Sequence, residues 1–117
     1  MILYGIPNCD TVRKARKFLE NHQIPYQFHD FKKEGITLER LQSWLTQHPI
    51  TTLVNKRSTS WRQLSEQQKE ALMSHNDLSI LIEHPTLIKR PVLETENTSQ
   101  PPLLIGFDET AYQTLKT

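Results

Sequence analysis

The chain has 117 residues, 36% of them hydrophobic and 23% charged, and its 14 Lys and Arg residues nearly balance its 13 Asp and Glu residues. This length suits one globular domain with its own core, so we expect a single, monomeric domain over residues 1–117. A net charge of +1 gives no indication of a nucleic-acid partner, and the lack of a membrane-length apolar run or a signal peptide predicts a cytoplasmic protein without a membrane partner.

The first part of the chain alternates strand and helix patterns. Residues 2–4 read as a short strand that Gly5 ends. A helical pattern begins at Thr11 and stops near Asn21, and its apolar face consists of Val12, Ala15, Phe18 and Leu19. Alternating aromatic and polar residues over 25–31 then predict a second strand with one buried side. This order is typical of a βαβ unit.

The middle of the chain has the pattern of several short helices. The first is predicted over residues 37–48, with Thr at its N-cap. Ser65 and Gln68 have the spacing of a capping box at the start of the next helix. Another is predicted over 77–85, where a proline closes it. Together they form a predicted helical insertion over about residues 37–85.

The last part of the chain reads as two strands and a helix. Residues 92–95 and 103–106 predict a hairpin of two central strands, joined by a turn over 96–100. A final helix follows from Asp108. We therefore predict an α/β (α+β) fold, a thioredoxin-like four-stranded mixed sheet with a helical insertion.

Cys9 is the single cysteine of the chain, which excludes an internal disulfide and a multi-thiolate metal site. It precedes the first predicted helix, where the partial positive charge of a helix start favours the thiolate. Arg13 follows four residues later and is expected on the same side, while Asp10 partly opposes its effect. The alternative is that Cys9 packs as a small apolar residue.

Two basic segments are candidates for binding an anion. Lys56 and Arg57 lie in "NKRSTSWR", which suits a carboxylate or oxyanion, although a solvated basic loop explains it equally well. Lys89 and Arg90 precede Pro91 at the start of a predicted strand, and base rates favour a trans peptide bond before this proline. The five histidines have no paired spacing, so we expect no metal site.

Five segments of the chain resemble the ArsC-like family. In chain order they are "LYGIPNCDTVRKARKFL", "YQFHDFKKEGI", "LVNKRSTSWRQL", "HPTLIKRPVL" and "IGFDETAY". This family includes glutaredoxin-dependent arsenate reductases and the Spx regulators, and the resemblance is closest to its YffB-like branch. The resemblance implies a thioredoxin-like fold with a helical insertion, a nucleophile at Cys9 and a cis peptide bond between Arg90 and Pro91. It thereby replaces the trans expectation and places Arg90 near the thiol.

The chain departs from the patterns of both named groups. The arsenate reductases have a histidine where this chain has Gly5. They also bind arsenate with three arginines. Of these three arginine positions, this chain has Asn55 and Gly106 at two and keeps an arginine, Arg90, at the other. Losing two cations predicts poor arsenate binding. Where many Spx regulators have the second cysteine of a Cys-x-x-Cys switch, this chain has Val12.

We therefore expect an enzyme, a glutathione-dependent thiol/disulfide reductase in which Cys9 is the nucleophile and Arg13 and Arg90 lower its pKa. The residues expected to bind glutathione are Asn8, Lys56, Arg57, Lys89 and Pro91. Glutathione is the expected co-substrate, no cofactor is expected to be tightly bound, and glutaredoxin is a further candidate partner. The alternatives are an Spx-like regulator that binds RNA polymerase and a glutaredoxin-dependent arsenate reductase.

Overall fold

The computed structural model describes residues 1–95 and 103–115, and the turn predicted over 96–100 lies outside them. The chain divides into two compact units, one made of Met1–Asp30 and Arg90–Thr117 and the other of Phe31–Lys89. The helices predicted for the insertion all lie in the second unit. The expectation of one domain over the whole chain stays a prediction.

The first unit contains a four-stranded mixed sheet. Its strands are β1 (Ile2–Gly5), β2 (Gln27–Asp30), β3 (Val92–Glu94) and β4 (Leu103–Ile105). They lie in the order β2-β1-β3-β4, with β1 and β2 parallel and the other neighbouring pairs antiparallel. This confirms the predicted fold class. The prediction of two central strands in the hairpin was wrong for β4, which is an edge strand because β1 pairs with the other side of β3.

The helices account for most of the remaining regular structure. In chain order they are α1 (Asp10–Asn21), α2 (Phe31–Glu34), α3 (Leu38–Leu45), α4 (Ile50–Leu53), α5 (Thr59–Arg62), α6 (Glu66–Met73), α7 (Ser79–Glu83), a 3-10 helix (Pro85–Leu87) and α8 (Glu109–Gln113). Within the part of the chain that the structure describes, none of them combines the length and apolar character needed to cross a membrane.

Several predicted boundaries shift for local reasons. Phe31 opens α2 instead of ending a strand, and its carbonyl oxygen accepts a hydrogen bond from Gly35 N–H at 2.9 Å. Helix α7 begins at Ser79 because the Asp77 carboxylate accepts the Ser79 backbone N–H from outside the helix. The capping box is confirmed, since the Ser65 side chain accepts from Gln68 N–H and the Gln68 side chain accepts from Ser65 N–H.

The core of the first unit fixes α1 against the sheet. The α1 residues that this core buries lie within about one helical turn of one another, on the apolar face that was predicted, and pack against β1, β3 and α8. Its fully or nearly buried members are Leu3, Ala15, Phe18, Leu19, Leu93 and Tyr112. The Phe18 and Tyr112 rings meet edge to face with centroids 5.8 Å apart. Burying a side chain of this size contributes roughly 1.5–3 kcal/mol, so the cluster sets the position of α1.

Gly5, the last residue of β1, allows α1 to approach the sheet closely. A Cβ atom at this position would lie 2.7 Å from Cγ2 of Val12, which is fully buried in α1. Such a distance requires one of the two elements to move. Gly5 therefore sets the distance between β1 and the helix that begins beside Cys9.

We expect Gly5→Ala to lower the free energy of unfolding by about 1–3 kcal/mol, because an added methyl overpacks the contact with Val12. Urea denaturation measures this change. The matched control is the same substitution in a Val12→Ala background, where the clashing methyl groups are absent and the cost of Gly5→Ala is expected to vanish. An equal cost in both backgrounds would show that the contact is not responsible.

Candidate functional site

Cys9 is the N-cap residue of α1, in the turn that follows β1. Its backbone is extended, with φ −94° and ψ 127°. Its N–H donates to the Ile6 carbonyl at 3.2 Å, and its carbonyl accepts the Arg13 N–H at 2.9 Å, the first hydrogen bond of the helix. The side chain is partly exposed. The thiol therefore has a fixed backbone and access to solvent, as a nucleophile requires.

The pairing of β1 with β3 brings Arg90 and Pro91 close to Cys9. Tyr4 pairs with Val92 in the antiparallel register of β1 and β3, so the next pair along the chain is Gly5 with Pro91. The peptide bond between Arg90 and Pro91 is cis, which confirms the expectation from the family resemblance. Pro91 is buried and its carbonyl accepts the Gly106 N–H at 2.8 Å. The Arg90 side chain hydrogen-bonds to Cys9.

The balance of forces on the sulfur favours the thiolate. Partial burial disfavours the charged form, but the Val12 N–H, the Arg90 hydrogen bond, the Thr11 N–H and the Arg90 charge together lower the pKa of Cys9 below its ordinary value. The Cys9 side chain makes no cap hydrogen bond of ordinary geometry, so the two N–H groups act on the sulfur mainly as oriented dipoles of the helix start.

Arg13 has a different neighbour from the one expected. Its Nη1 lies 2.8 Å from Oδ1 of Asp10, in an exposed pair across one helical turn. The groups that shift the pKa of Cys9 include Arg90 and do not include Arg13. Arg13 therefore offsets the negative charge of Asp10, the carboxylate next to the thiol. A direct effect of Arg13 on Cys9 stays a prediction.

The other predicted binding residues divide between the two units. Asn8 is exposed in the turn before Cys9. Lys56, Arg57 and Lys89 belong to the second unit, where all three are exposed. The Lys56 ammonium lies 5.7 Å from the ring centre of Trp61, close enough for a cation–π contact. The part of these three cations in binding glutathione stays a prediction.

Three positions that differ from the arsenate reductase pattern have structural roles here. Gly5 leaves no space for a side chain beside Val12. The Asn55 side chain accepts the Arg57 N–H at 3.0 Å and builds a turn. Gly106 has φ +80°, in the left-handed region that a residue with a Cβ rarely adopts. An arginine at position 106 would be strained. Of the three family arginines, this chain therefore has only Arg90.

Sequence reasoning expected Arg90 close to Cys9, as the structure has it, but it missed the effect of the Thr11 and Val12 N–H groups on the sulfur. The N-cap position was the available signal, because the second and third N–H groups of a helix point back towards the cap residue. Within residues 1–95 and 103–115, no three His, Cys, Asp or Glu side chains are grouped so that they could hold a metal ion.

Comparisons with known proteins show relatives over nearly the whole chain. The model of the ArsC family matches residues 4–115. An uncharacterized protein of Haemophilus influenzae is 48% identical over 95% of this chain and 94% of its own length. The solved structure of a protein named YffB is 38% identical, with a TM-score of 0.87 over 99% of this chain and 98% of that one. The global transcriptional regulator Spx 2 of Bacillus cereus is 33% identical over 93% of this chain and 81% of the regulator.

We expect Arg90→Gln to raise the pKa of Cys9, because the substitution removes a positive charge and a hydrogen bond that favour the thiolate. The pH dependence of alkylation by iodoacetamide measures this, since the thiolate is the reactive form, and its midpoint should move to higher pH. Arg13→Gln is the matched control and should move the midpoint upward by less. Equal shifts in the two variants would contradict the assignment of Arg90.

Proposed function

The chain belongs to the ArsC family, and from this premise we propose that it is a glutathione-dependent thiol–disulfide reductase acting through Cys9 alone. One observation carries the proposal: the single cysteine of the chain is partly exposed at a helix start and has a lowered pKa beside Arg90. A lowered pKa increases the fraction of Cys9 present as thiolate at a given pH, and the thiolate is the form that attacks a disulfide.

The proposed reaction consists of two thiol–disulfide exchanges. In the first, the Cys9 thiolate attacks the glutathione sulfur of a mixed disulfide between glutathione and a substrate. A bond forms between Cys9 and glutathione, and the substrate thiolate leaves with the electron pair and takes up a proton. In the second, the thiolate of another glutathione attacks this adduct, which releases oxidised glutathione and restores Cys9. One incoming glutathione thiol takes the place of the substrate thiol in the disulfide, so each turnover consumes one glutathione and requires no second cysteine.

The residues around Cys9 support each part of this scheme. Arg90 stabilises the attacking thiolate and, when Cys9 carries glutathione, the thiolate that leaves in the second exchange. The backbone beside Pro91 and the Asn8 amide are the proposed contacts of the glutathione backbone. Lys56, Arg57 and Lys89 are the candidates for its two carboxylates, because cations recognise carboxylates by charge-assisted hydrogen bonds. No tightly bound cofactor is needed, and glutaredoxin is the second candidate for removing the adduct.

We expect wild-type protein treated with oxidised glutathione to gain the mass of one glutathionyl group, and Cys9→Ser to gain none. Intact-protein mass spectrometry measures the adduct, and reduced glutathione should then remove it. Thr11→Ala is a suitable control, because it changes the neighbouring side chain but keeps both the thiol and the backbone N–H. Absence of an adduct on the wild-type protein would reject the proposed function.

Arsenate reduction is the alternative that the site supports least. Two of the three family arginines are absent, and each lost charge-assisted hydrogen bond costs roughly 1.5–3 kcal/mol. We therefore expect arsenate turnover with glutathione and glutaredoxin to be no faster than that of Cys9→Ser. Turnover well above that background would instead show that the remaining cations bind arsenate.

Transcriptional regulation is the second candidate, and the 33% identity to the Spx 2 regulator favours it. In that case Cys9 would have no chemical role, and the chain would bind RNA polymerase, as the family resemblance implies. Binding of purified RNA polymerase that is equally strong for the wild type and Cys9→Ser would support regulation. Val12 in place of a second cysteine excludes an intramolecular disulfide switch in either case.

A further inference from the structure

The exposed face of α1 carries an unusual concentration of positive charge. The chain has 14 Lys and Arg residues and a net charge of only +1, yet four of these cations lie within residues 13–17. A shallow groove along this face is lined by Asp10, Arg13, Lys14, Arg16, Lys17 and Glu20. The groove therefore runs along the helix whose first turn holds the thiol of Cys9.

Contacts within the groove leave two of the cations available. Arg13 is paired with Asp10 at 2.8 Å. The Arg16 Nε donates to the Tyr26 hydroxyl at 3.1 Å, and its guanidinium lies 4.3 Å from the centre of the Phe28 ring. Lys14 and Lys17 are exposed, and neither forms an ion pair with any residue that the structure describes. These two ammonium groups are free to meet an external anion.

Helix stability does not explain the position of these charges. A helix is stabilised by acidic residues in its first turn and basic residues in its last turn. Helix α1 has no basic residue in its last turn, where Glu20 lies instead, and all its cations occupy positions 13–17. Apart from Asp10, the charge order opposes the helix dipole. The cations add to the positive potential at the helix start, next to Cys9, where it favours an anionic partner.

The two lysines lie at different distances from Cys9 along the helix, and these distances bear on the length of the ligand. At 1.5 Å per residue, Lys14 lies about 7.5 Å and Lys17 about 12 Å from Cys9 along the helix axis. Glutathione has one unit on each side of its cysteine and reaches roughly 7 Å. An extended peptide of about four residues next to the reacting cysteine spans about 13 Å. The longer ligand extends along the helix past both lysines while its disulfide lies at Cys9.

We propose that the basic groove of α1, defined by Lys14 and Lys17, binds an acidic segment next to the reactive cysteine of a protein substrate. This inference rests on the proposed exchange at Cys9 and adds its substrate class: proteins with Asp or Glu within about four residues of the disulfide that is exchanged. Attraction between opposite charges speeds encounter and selects the partner, and it weakens with salt.

The test uses Cys9→Ser protein, so that binding is measured without thiol chemistry. Two fluorescent ten-residue peptides with a central serine are compared by anisotropy, one with flanking Asp and Glu and the other with flanking Lys. The acidic peptide should bind at least about tenfold more tightly, and its affinity should fall steeply with added salt. No preference for the acidic peptide would overturn the proposal.

Charge reversal locates the binding surface. Adding Lys14→Glu and Lys17→Glu should lower the affinity for the acidic peptide at least about tenfold. Circular dichroism should show an intact fold, because both side chains are exposed and Glu is a good helix former. Lys32→Glu with Lys33→Glu makes the same charge change on exposed residues of α2 and should have little effect. Equal losses of affinity in the two variants would show that binding depends only on net charge, which would overturn the proposal. Failure of the proposed function would appear separately, as a missing glutathione adduct on wild-type Cys9.

Discussion

The contact between the Arg90 side chain and the Cys9 sulfur is the interaction on which the candidate chemistry depends. Partial burial alone would raise the pKa of the thiol, as it does for most cysteines in cores. Arg90 reverses that tendency together with the N–H groups of Thr11 and Val12. The antiparallel pairing of β1 and β3 brings the arginine to this position, so the sheet register places a group that lowers the pKa of the thiol.

Packing constraints near the thiol also limit what else the site does. Gly5 is required by the close approach of Val12, and Gly106 by its positive φ and its hydrogen bond to Pro91. Both are positions where the arsenate reductase pattern has a functional side chain. Restoring that pattern would therefore need changes in the packing of α1 and in the backbone after β4.

Charge along α1 has two effects that act in the same direction. Arg13 neutralises Asp10 next to the thiol, and Lys14 and Lys17 extend a positive surface away from it. Each arrangement favours negative charge at the start of the helix, whether on the thiolate or on an approaching ligand. The cost to the helix is small, because the buried face of α1 supplies far more stabilisation than exposed charges do.

Much of the fold could be predicted because its signals are local. The apolar spacing of α1, the Thr37 N-cap and the capping box of Ser65 and Gln68 each depend on residues within a turn or two of one another. Boundaries failed where a side chain acts from outside an element, as Asp77 does before α7. The order of the strands was harder to predict from the sequence, because an edge strand and a central strand of this length have similar residue patterns.

For the site, the sequence alone determined that one cysteine stands before a helix and that any redox cycle needs an external thiol. The family resemblance added Arg90 and the cis bond before Pro91. Only the tertiary structure gave the neighbours of the two arginines: Arg13, near in sequence, pairs with Asp10, whereas strand pairing brings the distant Arg90 to Cys9. The physical reason is that electrostatic effects depend on distance in space, which residue spacing specifies only within a single helix.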